Sequence, residues 1–442
     1  MLLRFVVKNL YSFKEQTEFN LFPSSRAEHH LHHKVPCGHA ESLRFSSIYG
    51  ANGAGKSNLI KALTDFQGFI LRGVITGTVF QPYKFQLAKE SINEPVSMAI
   101  EFCDGGIVYY YSIEVDSGIV SYEYLSVSEG KRDRMIFERK GNGPKAVSFG
   151  AGYQKDKKNE FFASVLSEKL LHKEAFLLSF MAQLYPEEVK GIKEAYNWIR
   201  TKLIIFHADG LKNVAIAHLL DTKPEMMNLL RELLPGMKTG ITDMSVVLSN
   251  IDEKQLAPEI VSKLKSSPGL AFTFPNTIDP RVSLSIVYDG EKLVRKELLP
   301  LHSLGDGTTV KMPINFESDG TIRLISYIPV IFSIRNEDCT VVIDEIERSL
   351  HPILIKEIVT KLSESQTING QLVFTTHESC LLDQSILRPD EIWFAQKDPD
   401  QATQLYPLSD FKIHRTASIE NGYLNGRYGG IPFLSNLKDL KW

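Results

Sequence analysis

LRFSSIYGANGAGKSNLIKALTDFQGFI, Leu43 to Ile70, is the stretch that decides how the chain is read. LRFSSIYG reads as a strand that stops at glycine. SNLIKALTDFQGFI carries apolar residues at helical spacing. Between them, Gly50-Ala-Asn-Gly-Ala-Gly55-Lys56-Ser57 follows the pattern Gly-x-x-x-x-Gly-Lys-Ser/Thr. Glycines at those places let backbone N–H groups curl around a phosphate at the positive end of the helix that follows. The lysine reaches the outer phosphate oxygens, and the serine hydroxyl is a ligand for Mg²⁺. Gly50, Asn52, Gly53, Gly55, Lys56, Ser57 and Asn58 are therefore the expected phosphate-binding residues.

Working outward, CTVVIDEIERSLHP (Cys339–Pro352) places the run Thr340–Ile343 before two acids. Such a run suits a buried parallel strand. Asp344 would emerge at its carboxyl end, where open α/β sheets bind ligands, and would hold the Mg²⁺ together with Ser57. Glu345 would polarise an attacking water. A second apolar strand, QLVFTTHES, ends at His377, placed to sense the last phosphate. A lone histidine is more often a satisfied core or surface residue. NFESDGTIRLISYIPVIF (Asn315–Phe332) begins with a turn and becomes an apolar helix, with Ser318 as N-cap and Gly320 in the first turn.

The chain has 442 residues, enough for two or three domains. Its hydrophobic fraction is 43% and its charged fraction 23%, ordinary for a globular protein. A net charge of −3 excludes a wholly basic nucleic-acid coat. Cys37, Cys103, Cys339 and Cys380 form no Cys-x-x-Cys pair, which fits a reducing, cytoplasmic setting. MLLRFVVKNLYSF is too polar for a signal peptide and no long apolar run occurs, so no membrane span is expected. LRFVVKNLYSF and QTEFNLF read as a hairpin. Alternating runs from Val96 to Val147 read as an antiparallel meander, and Asp156 to Arg200 as helical. The last third alternates helix and strand, which implies a parallel, doubly wound sheet.

Together the phosphate loop, Asp344-Glu345, Ser349-Leu350-His351-Pro352 and His377 resemble the ABC-type ATPase head of chromosome-maintenance, recombination and break-repair ATPases. In that family a signature with Ser and Gly, commonly LSGGQ, opens a helix upstream of the carboxylate strand. Glu317-Ser318-Asp319-Gly320-Thr321 takes that place here, with Asp319 instead of the first Gly. An acid so near a phosphate must point away or be offset by a cation. LRFVVKNLYSF, SIYGANGAGKSNLIKAL, NFESDGTIRLI, VVIDEIERSLHP, LLRPDEIWF and ENGYLNGRYGGIP resemble more narrowly the bacterial AAA ATPases of abortive-infection type, a type that the ATPase subunits of PARIS anti-phage systems also resemble.

The resemblance implies an α/β fold: a P-loop NTPase of ABC-ATPase type with an antiparallel β subdomain and a mostly helical insertion. The expected segments are 1–95 and 311–442 for the ATPase lobe, 96–150 for the β subdomain, 151–235 for the helical insertion and 236–310 for a mixed return. It implies Mg-dependent ATP hydrolysis with Glu345, Lys56 and His377 as catalytic residues. ATP would be held by the phosphate loop of one subunit and by Ser318 and Gly320 of another, in a homodimer or higher homo-oligomer. The implied role is a sensor or switch in anti-phage defence, triggered by DNA or a phage protein and controlling a separate effector such as a Toprim nuclease. The alternative is a repair or recombination ATPase acting on nucleic acid. Gln81 and Gln86 both qualify as the glutamine that couples the metal to the inserted domain, and Ser12 and Phe13 resemble residues near the nucleotide.

Three weaker features remain. His29, His30, His32, His33, Cys37 and His39 can bind Zn²⁺ or Ni²⁺, but no second ligand pair has fixed spacing, so a solvated loop is expected. NGYLNGRYGGIP reads as a tail packed on the head, or as a partner-binding tail. KRDR (131–134) and KDKK (155–158) read as solvated turns rather than DNA contacts.

Overall fold

The computed structural model describes residues 1–75, 83–130, 132–150, 157–208, 215–237, 239–275, 279, 281, 283–414 and 417–431. Gln81, Pro432 and part of both basic clusters lie outside them. The chain divides into two units. One comprises Met1–Ile205, Asp338–Ile346 and Val359–Trp442, the other Phe206–Glu337 and Glu347–Ile358.

In the first unit, strand Phe45–Gly50 is buried along its whole length. It pairs in parallel with Gln371–Thr375 on one side and Ile392–Lys397 on the other. Thr340–Ile343 extends the parallel set beyond Gln371–Thr375, and Thr403–Pro407 closes the opposite edge antiparallel. Full burial is what a parallel strand covered on both sides shows, and Ser46 and Ser47 meet it by donating to the Glu391 carbonyl at 3.2 and 3.4 Å. Helix Lys56–Arg72 leaves the carboxyl end of Phe45–Gly50 and buries Leu59, Ile60, Leu63, Phe66 and Ile70. That spacing is one face of a helix.

A second sheet of the same unit is antiparallel throughout, in the order Val147–Phe149, Arg132–Lys140, Ile119–Glu129, Ile107–Asp116, Val96–Asp104, Leu2–Lys8, Thr17–Asn20. The meander therefore continues through the N-terminal hairpin. Buried Gln371 joins the two sheets. Its amide accepts from the Leu2 N–H at 2.7 Å and the Thr340 hydroxyl at 2.8 Å, and donates to the Leu43 carbonyl at 2.7 Å and the Leu2 carbonyl at 3.0 Å. Beneath the meander, Phe102 stacks on fully buried Trp198 with ring centroids 4.1 Å apart. The glycine-rich tail folds onto the head: Tyr423 and Tyr428 both stack on Phe394.

The second unit is built on strands Ile241–Asn250, Leu293–Ser303, Ser283–Tyr288 and Ala271–Pro275, with Thr309–Lys311 attached to Leu293–Ser303. It carries helices Pro224–Met237 and Asp319–Asn336. Among the described residues, no helix is long and apolar enough to cross a membrane.

Replacing Gln371 by leucine removes donors and acceptors that no water reaches. Each orphaned buried group costs about 1–3 kcal/mol, so a loss of about 2–4 kcal/mol is expected. Urea denaturation measures it, and an unchanged midpoint would contradict the role given to Gln371.

Candidate functional site

The phosphate loop sits at the carboxyl edge of the parallel sheet. Gly55 takes the left-handed conformation (φ 109°) as the residue before the helix, and no side chain caps that helix start. Its first N–H groups therefore point out of the loop, the arrangement that receives an anion. A Cβ on Gly55 would overlap the Thr403 hydroxyl, so the position combines a positive φ with a close approach. Lys56 is buried, and its ammonium donates to the Gly50 carbonyl at 2.7 Å and the Ala51 carbonyl at 3.2 Å. Asn52 and Gly53 are exposed at the tip of the loop.

The carboxylate strand reaches the same place. The Ser57 hydroxyl donates to Asp344 Oδ1 at 3.2 Å, and the Thr375 hydroxyl donates to the same oxygen at 2.6 Å. Thr375 in turn accepts the N–H of Glu345 at 2.8 Å. Glu345 has φ 51°, which is strained for a residue with a side chain. One threonine hydroxyl thus fixes the Asp344 carboxylate and the turn that aims Glu345. A serine hydroxyl and a buried carboxylate within hydrogen-bond distance are the hard oxygen donors that Mg²⁺ takes. The strand before His377 ends at Thr375, not at the histidine. His377 follows two residues later and is exposed.

Behind the loop lies a network that sequence reasoning missed. The Thr403 hydroxyl donates within a set made by the Ser12 hydroxyl at 2.7 Å and the Ala54 carbonyl at 2.8 Å. Lys397 reaches the same hydroxyl at 3.1 Å, and burial lowers the pKa of its ammonium. Asn58 donates to Ser12 at 2.9 Å, so its amide supports the loop from behind. Phe13 is core, while Ser12 touches the loop. The exposed Gln86 folds its amide onto the Lys84 carbonyl.

Ser318 and Gly320 belong to the second unit. Ser318 is the N-cap of Asp319–Asn336, accepting the Thr321 N–H at 3.2 Å. A Cβ on Gly320 would lie 2.8 Å from the Ser349 carbonyl, so the glycine admits the backbone of the Ser349–Pro352 segment. Asp319 is met by Arg281, whose guanidinium lies 2.6 Å from Asp319 Oδ1 and 2.6 Å from Asp279 Oδ2. Arg281 also donates to the Asn315 carbonyl at 2.9 Å. These bonds raise the pKa of Arg281 and hold Asp279 below the usual carboxylate range. The cation that the sequence asked for beside Asp319 is present.

Of the His29–His39 stretch, His39 is exposed as a solvated loop requires, but His33 is not. His33 is fully buried against Glu391, and His30 and His32 bond backbone carbonyls. The reason is the Glu391 carboxylate, far away in sequence and itself without solvent.

A strand–phosphate loop–helix unit with a carboxylate strand two places along a parallel sheet defines a P-loop α/β fold. A family model described as an AAA domain, putative AbiEii toxin of a type IV toxin–antitoxin system, matches residues 45–177 and 230–383. The match takes in the phosphate loop, Ser318, Asp344, Glu345 and His377, and the chain belongs to this family of AAA ATPases. No curated protein matches the chain. It is similar to a crystallised SMC head bound to the C-terminal winged-helix domain of ScpA, at 13% identity and a TM-score of 0.41, over 92% of this chain and 97% of that one. It is also similar to the SMC head domain from Thermotoga maritima, at 10% identity and a TM-score of 0.38, over 93% and 99% of the two chains.

Thr403→Val keeps the shape and removes the hydroxyl behind the loop. Loss of one buried hydrogen bond at about 1–2 kcal/mol predicts ATP binding weaker by roughly 5- to 30-fold. Calorimetric titration with ATP checks this, and wild-type affinity would contradict it.

Proposed function

We propose that the chain is a Mg-dependent ATPase that closes as a head-to-tail dimer around ATP and serves as a switch in anti-phage defence. The observation that carries the ATPase reading is the Ser57–Asp344 hydrogen bond, which joins the phosphate-loop helix to the carboxylate strand. The family's abortive-infection description supports the defence role. The effector would be a separate chain of nuclease type, the trigger DNA or a phage protein, and the setting cytoplasmic.

Each residue then has a task. The N–H groups of Gly53 to Ser57 wrap the β-phosphate, and Lys56 exchanges its carbonyl partners for phosphate oxygens. Ser57 and Asp344 would hold the Mg²⁺, which when bound neutralises phosphate charge. Glu345 orients and polarises the attacking water, and His377 hydrogen-bonds the γ-phosphate. From the second subunit, the helix opened by Ser318 offers its free N–H groups and dipole, worth about 0.3–1 kcal/mol. Hydrolysis removes the charge that keeps the dimer closed.

Magnitudes show why Arg281 matters. A carboxylate about 5 Å from a phosphate charge costs roughly 3 kcal/mol at the effective dielectric of a protein surface, more than the helix dipole returns. Asp319 and Arg281 are exposed, so their pair adds little to folding stability. Its use is to cancel that repulsion.

Two tests follow. Glu345→Gln is expected to bind ATP normally, slow turnover by about 100-fold or more, and accumulate an ATP-bound dimer visible by native mass spectrometry. Unchanged turnover would remove the assignment of Glu345. Arg281→Ala is expected to lower turnover at least several-fold, with Arg281→Ala/Asp319→Gly recovering most of it. If the double variant is no better than the single one, charge cancellation is not what Arg281 does.

A further inference from the structure

The segment between the N-terminal hairpin and the phosphate-loop strand holds a histidine cluster that the nucleotide site does not use. His30, His32 and His33 each place one ring nitrogen within 4.8 Å of the other two. They sit on and beside the short turn Leu31–His33, and His30 bends the chain with φ 48°. Its ring stacks on His33 with centroids 4.9 Å apart, and His32 meets His33 edge-on at 4.5 Å. Cys37 and His39 are elsewhere: Cys37 packs with Met1, Leu3 and Cys103, and His39 lies against Ser128.

The surroundings are built for imidazole nitrogens. Glu391 takes Nδ1 of His33 at 2.9 Å, and neither side chain is exposed. Nε2 of His33 and Nε2 of His32 converge on the Ser363 carbonyl oxygen at 3.0 and 2.7 Å. The Ser363 hydroxyl is 3.2 Å from His33 Nε2 and gives its proton to the Ile386 carbonyl at 2.5 Å. His30 Nε2 lies 3.0 Å from the Gln384 carbonyl.

Two readings compete for this geometry. In one, His33 hydrogen-bonds Glu391 through Nδ1 and the Ser363 carbonyl through Nε2, with other imidazoles packed around it. In the other, Nε2 of His33 faces a cation instead. Ligands of one tetrahedral ion, at about 2.0–2.1 Å from it, lie roughly 3.3 Å from each other, and the three ring nitrogens here lie within 4.8 Å. Metal-bound histidines also hand their other N–H to a carboxylate or carbonyl, which fixes the ring. His33 does this through Glu391, and that carboxylate offsets positive charge.

We propose that His30, His32 and His33, with the Ser363 carbonyl oxygen, form a structural site for a divalent ion of the zinc class, with Glu391 orienting His33. Imidazole nitrogens select such ions over Mg²⁺. Ring rotations of about 1–1.5 Å bring the three nitrogens to ligand spacing. The ion ties the hairpin loop to Ser363 and to the start of strand Ile392–Lys397, which borders the phosphate-loop strand.

The test uses the full chain without a histidine tag, stripped with chelator and titrated with ZnCl₂ alone by calorimetry. Thermal denaturation is followed with and without the metal. One equivalent bound at micromolar affinity or tighter, with a raised midpoint, is expected. Because removal of buried His33 can unfold the chain, the variant is His30→Ala/His32→Ala, checked by circular dichroism. It should bind Zn²⁺ at least 10-fold more weakly and lose the midpoint shift, while His39→Ala behaves as wild type. No saturable binding by the wild type, or equal affinity in the double variant, overturns the proposal.

Discussion

The Asp344 carboxylate, bonded by Ser57 and Thr375, is the contact on which the nucleotide site depends. Ser57 stands at the start of a helix, Asp344 at the end of one strand and Thr375 at the end of the next. Their meeting fixes the carboxyl edges of neighbouring strands in register with the phosphate loop. Thr375 also anchors the Glu345 N–H, so the strained turn that presents this acid rests on the same hydroxyl. Placing a buried carboxylate among three elements is costly unless its oxygens are satisfied. The two hydroxyls satisfy one of them and leave a donor set suited to a hard cation.

The second unit solves a different problem. In the proposed site its helix start attracts phosphate although the residue after the cap is an acid. Arg281 answers with a guanidinium shared between Asp279 and Asp319 and anchored on the Asn315 carbonyl. On the proposed reading, the departure from the usual signature is a two-residue substitution: an acid in place of glycine, and a cation brought from a preceding segment.

Legibility in the sequence followed the distance between partners. Gly50–Ser57 could be read because the loop is continuous and its flanks have opposite periodicities. Asp344 and Glu345 could be read because a buried strand leaves an unbroken run. The meander is legible in alternation, whereas the glycine- and tyrosine-rich tail is legible only as packed or partner-binding. Thr403 could not be read: it meets Ser12 from 391 positions away, and an edge-strand threonine has no signature. Arg281 is 38 positions from Asp319, at the start of an alternating run that signals a strand but not a distant ion pair, although the need for a cation was visible. The histidine-rich stretch misled because polar composition implies solvent, whereas burial came from Glu391, 358 positions away. The strand before His377 reads two residues longer in the sequence than in the structure, because Thr375 and Thr376 suit a strand as well as the apolar residues before them.

In the proposed mechanism each ATP site is completed by a second copy of the chain. Mixing two inactive variants tests it most directly. Lys56→Ala lacks the phosphate-loop half and Ser318→Arg lacks the signature half, so each alone has no working site. A mixed dimer pairs the intact phosphate loop of one with the intact Ser318 of the other. Turnover by the mixture should return to roughly a quarter of wild type, as random pairing gives half mixed dimers with one good site each. A mixture as inactive as its components, while both variants still dimerise, would contradict the shared site.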